Sequence, residues 1–162
     1  MGIKILDVKI NDLDYIIELN QNSKPAVSDM DMKSAEYFFK NSEYFKILKY
    51  DNNLIGFLIA LSDDSDYSSV NYQWFKRKYE SFIYIDRIIL EESHQNKGYG
   101  NIFYEDLKKN AALKYDNMFC EVNIIPYNRQ SINFHNKYGF KELSKEYIEN
   151  DEKRVVYLGY KL

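Results

Sequence analysis

A two-glycine loop between a strongly apolar segment and a helical pattern constrains the fold more than any other feature. The segment FIYIDRIIL (Phe82–Leu90) has the continuous apolarity of a buried central strand. The seven residues Glu91–Lys97 separate it from Gly98 and Gly100, after which apolar residues recur at helical spacing to about Lys114. Such a turn offers successive backbone N–H groups and the positive end of a helix dipole to an anion. The sequence therefore predicts a phosphate-binding loop in an α/β fold.

Other glycine-rich phosphate loops do not match the residues around this one. A nucleotide-triphosphate loop requires Lys and then Ser or Thr after its second glycine, where this chain has Asn101 and Ile102. A dinucleotide fingerprint requires a third glycine, where the chain has Phe103, and a first glycine close to the strand end. Glu121 lies about 20 residues downstream, where a dinucleotide-binding fold has a ribose-binding acid, and we attribute this partial match to chance. The remaining interpretation is a longer loop that binds a pyrophosphate on the backbone amides of Asn96–Asn101.

Strands and helices alternate along the rest of the chain without repeats or low-complexity linkers. Alternating apolar residues with a slip near Leu6 predict a bulged strand over Ile3–Ile10. Asp51–Asn53 between two apolar runs predict a β-hairpin. Asn128 is expected to cap a short helix through Tyr138, with Gly139 as its left-handed C-terminal residue. The other predicted elements are a helix after Asn11 or Asp12, a helix around Met32–Lys40, a helix over Tyr72–Tyr79 capped by Asn71, and strands at MFCEVNI, Phe140–Leu143 and Arg154–Leu162.

Composition limits the classes of function. The 162 residues suit one domain, and 22 basic against 25 acidic residues give a net charge of −3, which does not favour nucleic acid or an anionic membrane as partner. The single cysteine Cys120 allows no intrachain disulfide, and no signal peptide or membrane span is recognisable, so we expect a soluble cytoplasmic protein. With only His94, His135 and Cys120, no metal-binding cluster of recognisable spacing exists.

Two blocks of sequence carry a family resemblance. Gln95-Asn96-Lys97-Gly98-Tyr99-Gly100 resembles the Gln/Arg-x-x-Gly-x-Gly/Ala signature of the GNAT N-acetyltransferases, and NRQSINFHNKYGF resembles their second conserved block. NYQWFKRKYESFIYIDR together with CEVN resembles a bacterial subgroup of GNAT proteins without an assigned substrate. The resemblance covers Ile3–Leu162 in element order. It implies a single GNAT domain over residues 1–162, with a mixed, mostly antiparallel sheet of about six to seven strands, splayed at its centre and flanked by about four helices.

The resemblance also implies acetyl-coenzyme A as the acetyl donor, bound in the cleft that the splay opens. The pyrophosphate would lie on the glycine loop, and the pantetheine arm would pair with the central strand like an added strand. The Asn that matches Asn128 holds the cofactor near its reactive end in family members. The implied cofactor-binding residues are Ile88, Ile89, Leu90, Gln95, Asn96, Lys97, Gly98, Tyr99, Gly100, Asn101 and Asn128.

Transfer of an acetyl group to an amine requires a base, because a lysine-like ammonium with a pKa near about 10.4 must lose a proton before it attacks. Asp86 and Glu121 match positions where some GNAT enzymes have an acid, and either could be this base. A salt bridge to Arg87 is the alternative for Asp86. His135 lies seven residues after Asn128, where many GNAT enzymes have a Tyr that protonates the leaving thiolate. We expect His135 to replace that Tyr as the acid or to be a packed helix histidine.

Tyr72, Trp74 and Phe75 precede the central strand and are predicted to form a wall of the acceptor side, with packing against the sheet as the alternative. The resulting hypothesis is an N-acetyltransferase that moves an acetyl group from acetyl-coenzyme A to a primary amine by direct attack in a ternary complex. The amine could belong to a small molecule, an amino acid or a protein N-terminus. A catalytically silent acyl-coenzyme A binding or sensor module is the alternative function. A homodimer is compatible with the sequence.

Overall fold

The computed structural model describes residues 2–148 and 152–162. Over these residues, seven strands form one sheet in the order β1-β2-β3-β4-β5-β7-β6. Neighbouring strands are antiparallel except for β4 and β5, which are parallel. The strands are β1 (Ile3–Asp7), β2 (Tyr44–Tyr50), β3 (Asn53–Ser62), β4 (Phe82–Leu90), β5 (Asn117–Ile125), β6 (Lys141–Ile148) and β7 (Lys153–Lys161).

Helices cover both faces of this sheet. α1, α2 and α3 pack with one cluster of buried residues, and α4 and α5 pack with a second cluster on the opposite face. The predicted mixed, mostly antiparallel fold is therefore confirmed, with five α-helices over the described residues instead of about four. The helices are α1 (Leu13–Asn22), α2 (Met32–Asn41), α3 (Val70–Lys78), α4 (Tyr99–Ala111) and α5 (Arg129–Tyr138), with 3₁₀ turns at Ile10–Asp12 and Glu92–His94.

Three predicted element boundaries are wrong. The first strand ends at Asp7 instead of Ile10, because a 3₁₀ turn follows in which the Asp12 carboxylate accepts from the Lys9 amide (2.8 Å). α3 begins at Val70 because Ser69, not Asn71, is its cap. β6 begins after Phe140 and continues beyond Leu143 to Ile148, since it pairs with β7 along its whole length.

The sheet opens between β4 and β5, as predicted. Parallel pairing joins only Phe82–Tyr84 to Asn117–Phe119. From Ile85 to Leu90, no strand of the described residues pairs with the β5-facing edge of β4, although its other edge still pairs with β3. A register shift opposite Ile59 and Ala60 leaves Asp86 as an unpaired extra residue, which is a β-bulge. The fold therefore places an open strand edge and a bulged acidic residue at its centre.

Every helix of the described residues is too short or too polar to cross a membrane. Those residues also contain no group of three or more His, Cys, Asp or Glu side chains that could hold a metal ion.

Candidate active site

A cleft of about 2010 Å³ passes through the splay of the sheet. Its walls come from the open edge of β4, the glycine loop, the start of α4, α5, the second half of β5, α1 and the segment between α1 and α2. Tyr84 and Phe119 pack in the cluster on the α1–α3 face, so Asp86 and Glu121, two residues further along each strand, point to the same face. The cleft therefore connects the two faces of the sheet at these carboxyl groups.

The glycine loop forms an anion cradle at the start of α4. Asn96 and Gly98 have left-handed φ angles of 59° and 86°, which turn the chain into the helix. The first helical hydrogen bond runs from the Ile102 N–H to the Gly98 carbonyl (3.2 Å), so the preceding amides have no acceptor within the helix. A Cβ built on Gly98 would meet no heavy atom within 4 Å, so its outer side faces open space. The loop thus has free N–H groups, positive dipole and room for a pyrophosphate.

Side chains around the cradle fix its position. Gln95 Nε2 donates to the Leu90 carbonyl (3.0 Å), and Gln130 Nε2 donates to Gln95 Oε1 (3.2 Å), which joins the loop to the end of β4 and to α5. A Cβ on Gly100 would lie 3.1 Å from the Phe134 ring, so this glycine permits the close approach of α4 and α5. Its role in the loop is therefore partly helix packing.

The open edge of β4 and the start of α5 supply the remaining predicted cofactor positions. Ile88, Ile89 and Leu90 line the cleft where β5 no longer pairs with β4. Asn128 also lines it, while its Oδ1 accepts from the Ser131 amide (3.2 Å) and caps α5. A strand edge with unused backbone groups, ending at an anion cradle, fits the pantetheine and pyrophosphate of coenzyme A.

The pKa of the Glu121 carboxyl group in the cleft is strongly raised from its ordinary value. Burial and, to a smaller extent, the negative charge of Asp86 raise its pKa to about 8, against the opposing effects of Tyr84 and Arg87. The Tyr84 hydroxyl donates to Oε1 at 2.5 Å. A carboxyl group with such a pKa exchanges protons near neutral pH, and its ionised form is a far stronger base than an ordinary carboxylate.

Asp86 is held on both of its oxygens. Oδ1 accepts from the Tyr67 hydroxyl (2.6 Å) and Oδ2 from Arg87 Nε (2.6 Å), and the side chains of Asp86 and Arg87 are each 5% exposed. Arg87 continues to Asn20 Oδ1 (2.8 Å) and to Ser28 on the segment after α1. The ion-pair alternative raised by the sequence is therefore realised, and the bulge lets both consecutive residues contact the α1–α3 face.

His135 is buried on the opposite face. Nδ1 lies 2.8 Å from the Ser131 carbonyl, so Nδ1 carries the proton and Nε2 accepts from the Tyr104 hydroxyl (2.7 Å). Burial lowers the pKa of His135 to about 4. The ring is thus neutral at physiological pH with both nitrogens engaged, which is how a packed histidine behaves. The neighbouring Tyr138 hydroxyl donates to Glu105.

Comparison with known proteins decides the family. A model of the Acetyltransferase (GNAT) family matches residues 13–140. The chain belongs to the GNAT family. A search of the curated proteins found no match.

Solved structures share the fold at low sequence identity. Ard1 from Thermoplasma volcanium is 13% identical with a TM-score of 0.81, covering 100% of this chain and 99% of its own. Naa50 from Arabidopsis thaliana, in complex with the bisubstrate analogue CoA-Ac-MVNAL, is 14% identical with a TM-score of 0.76 and 99% coverage of both chains. NAA60 from Arabidopsis thaliana, in complex with acetyl-CoA, is 14% identical with a TM-score of 0.76, covering 99% of this chain and 100% of its own. Acetyl-coenzyme A is the acetyl donor of this family, as the sequence predicted.

The structure places the three residues of the predicted acceptor wall in the packed interior of this GNAT protein, away from the cleft. Tyr72 and Phe75 are fully buried in the core, and Trp74 stacks on Tyr157 with ring centroids 4.3 Å apart and planes at 20°. These three side chains are not among those that line the cleft, because α3 turns its aromatic residues toward the sheet. Packing, the alternative interpretation, describes them correctly.

Other residues line the cleft on the α1–α3 face of the sheet. Tyr67 and Asn71 line it from the loop before α3 and from the first turn of α3, and Asn123 lines it from β5. Sequence reasoning missed all three. The run SDDSDYSS contains Tyr67 but has no periodicity, and an Asn in a strand carries no signal of chemistry until the splay exposes it. Tyr104, whose hydroxyl bonds to His135, was also not identified, because in the sequence it looks like one more packing residue of α4.

Proposed function

We propose that this GNAT protein transfers an acetyl group from acetyl-coenzyme A to a primary amine by direct attack in a ternary complex, with Glu121 as the base. The observation that carries the proposal is the half-buried Glu121 carboxyl group, with its pKa raised to about 8, in a cleft that runs from the α4 cradle through the splay. Because that cleft opens on both faces of the sheet, donor and acceptor can meet at Glu121 from opposite sides.

The substrate ammonium loses its extra proton to solvent before it reacts, and Glu121 accepts the N–H proton that the amine nitrogen releases as it becomes the amide, directly or through one water. Asp86 is the weaker candidate, because Tyr67 and Arg87 occupy both of its oxygens. The amine nitrogen bonds to the acetyl carbon to give a tetrahedral intermediate, and the carbon–sulfur bond breaks when that intermediate collapses. Unused backbone N–H groups of β4 near Ile88 stabilise the negative charge that develops on the carbonyl oxygen.

The departing thiolate does not need His135 as an acid. An ordinary thiol has a pKa near about 8.5, so a thiolate is an adequate leaving group at the pH where Glu121 is ionised. A neutral His135 with both ring nitrogens engaged has no proton to donate. We propose that His135 instead holds Tyr104 of α4 against α5.

The acceptor classes remain those of the sequence hypothesis, namely a small molecule, an amino acid or a protein N-terminus. The Naa50 complex with CoA-Ac-MVNAL supports keeping a peptide N-terminus among them. Its low identity supports no narrower choice.

One observation favours a second function, a silent acyl-coenzyme A binding or sensor module. His135 occupies the position where many GNAT enzymes have a catalytic Tyr, and its lowered pKa removes a side-chain acid from that position. This module would keep the cradle and the open β4 edge but would not turn over.

Calorimetric titration with acetyl-coenzyme A and, in parallel, NAD, followed by an amine panel with free-thiol detection, separates these functions. The proposed enzyme binds acetyl-coenzyme A saturably, ignores NAD and releases thiol with at least one primary amine. Binding without thiol release from any amine would support the sensor. No binding of acetyl-coenzyme A would overturn both.

A further inference from the structure

Asn123 lies beside the proposed base in a position that the reaction can use. It follows Glu121 by two residues on β5, so both side chains point to the same face of the strand, and both line the cleft. Asn123 is 9% exposed, which is unusual for a carboxamide unless its polar atoms are paired.

Only one end of this carboxamide has a protein partner among the described residues. Nδ2 donates to the Ala26 carbonyl on the segment between α1 and α2, at 3.5 Å. That contact turns Nδ2 toward the segment and leaves Oδ1 facing the cleft, where no donor from the described residues reaches it. A nearly buried acceptor oxygen beside Glu121 is therefore available to a bound molecule.

We infer that Asn123 orients the acceptor, with Oδ1 accepting a hydrogen bond from an N–H of the amine while Glu121 removes the proton of another N–H. The inference rests on the proposed function. A neutral primary amine has one lone pair and two N–H bonds. The lone pair forms the new bond to the acetyl carbon, the carbon–sulfur bond breaks, and the thiolate keeps the electron pair. One proton passes to the Glu121 carboxylate, and the remaining N–H of the product amide stays on Asn123 Oδ1.

This arrangement makes Asn123 a specificity residue. A secondary amine or a hydroxyl group has a single hydrogen, which must go to Glu121, so Asn123 Oδ1 would be left without a donor. An active site that leaves a buried polar atom unpaired discriminates strongly against that substrate. We therefore assign the acceptor to the primary amines, against their N-methyl derivatives and the corresponding alcohols.

The test compares wild type with Asn123→Leu and Asn123→Asp, using the best primary amine of the panel and its N-methyl derivative. Asn123→Leu removes both polar atoms, whereas Asn123→Asp keeps an oxygen in the cleft but replaces the Nδ2 contact to Ala26 with a carboxylate. Because that charge raises the Glu121 pKa, the decisive quantity for Asn123→Asp is the preference between the two amines, which share the same base. Asn117→Leu is the matched control, because Asn117 lies on the same strand and also donates from Nδ2 to a backbone carbonyl, that of Ser81 (3.4 Å). Assays at a pH above the Glu121 pKa keep the base ionised.

Wild type, Asn117→Leu and Asn123→Asp are expected to prefer the primary amine. Asn123→Leu should lower kcat/KM for the primary amine by about 10- to 100-fold, lose the preference, and keep the wild-type affinity for acetyl-coenzyme A. If Asn123→Asp loses the preference for the primary amine, or if Asn123→Leu keeps it, the inference is wrong. Turnover by wild type without any preference would also overturn it while leaving the proposed function intact. Absence of turnover with every amine would overturn both.

Discussion

Replacing Glu121 with Gln keeps the shape of the side chain and the acceptor for the Tyr84 hydroxyl but removes the base. The variant should still bind acetyl-coenzyme A, because the backbone groups of the α4 cradle and of the open edge of β4 are unchanged. Its turnover with an amine should fall, and the extent of the fall should depend on pH.

The pH dependence follows from the raised pKa. With a pKa of about 8, roughly one-tenth of the Glu121 carboxyl is ionised at pH 7 and roughly nine-tenths at pH 9. A general base contributes about 10²- to 10⁴-fold to rate. The ratio of wild-type to Glu121→Gln kcat/KM should therefore be about 10²–10⁴ at pH 9 and about tenfold smaller at pH 7.

Thiol release at saturating acetyl-coenzyme A, from pH 6 to 10, measures this ratio, in which ionisation of the amine itself cancels. Glu18→Gln is the matched control, since Glu18 lines the same cleft from α1, and it should follow wild type. Asp86→Asn removes a charge that raises the Glu121 pKa, so its profile should move to lower pH. A ratio that stays constant with pH would refute the assignment of Glu121 as base.

Substitutions at three further positions test other parts of the structure. His135→Phe should leave the pH–rate profile unchanged. In urea titrations, the unfolding free energy of wild type should fall by about 3 kcal/mol between pH 6.5 and pH 4, because His135 stays neutral when folded but protonates when unfolded. The His135→Phe variant should not show this fall. Gly98→Ala and Gly98→Val share the strain of a left-handed φ, but the larger Val side chain should also obstruct the pyrophosphate. Calorimetry should therefore give an acetyl-coenzyme A affinity about tenfold weaker for Gly98→Val than for Gly98→Ala. Equal affinities would contradict the assignment of this loop as the pyrophosphate site. Trp74→Ala should lower stability by about 2–4 kcal/mol through loss of the Tyr157 stack and leave the amine KM unchanged; a raised KM at unchanged stability would restore the acceptor wall.

The sequence predicts well the strand, the glycine loop and the helix ends that line one side of the cleft, because local rules determine them. FIYIDRIIL is apolar enough to be central, and the glycines that follow favour a tight turn into a helix. Asn128 and Gly139 are likewise found at the two ends of α5, since capping depends on residues next to one another in the chain. These elements need no knowledge of tertiary contacts.

The acceptor side depends on contacts distant in sequence. Helical spacing of Tyr72 and Phe75 marks an apolar face but does not say whether it meets the core or a ligand, and here it meets the core. The hydrogen bond that occupies Asp86 Oδ1 comes from Tyr67, 19 residues away in the chain. The orientation of the Asn123 carboxamide depends on the Ala26 carbonyl, 97 residues away. The burial that perturbs Glu121 and His135 arises from the same distant packing.

A crystal structure of the complex with acetyl-coenzyme A tests the central claim most directly. We expect the pyrophosphate on the amides at the start of α4 and the pantetheine arm along the open edge of β4. We expect the thioester carbonyl to be separated from Glu121 by no more than an amine and one water. A thioester out of reach of Glu121, or a cofactor bound away from the Gly98 loop, would contradict it.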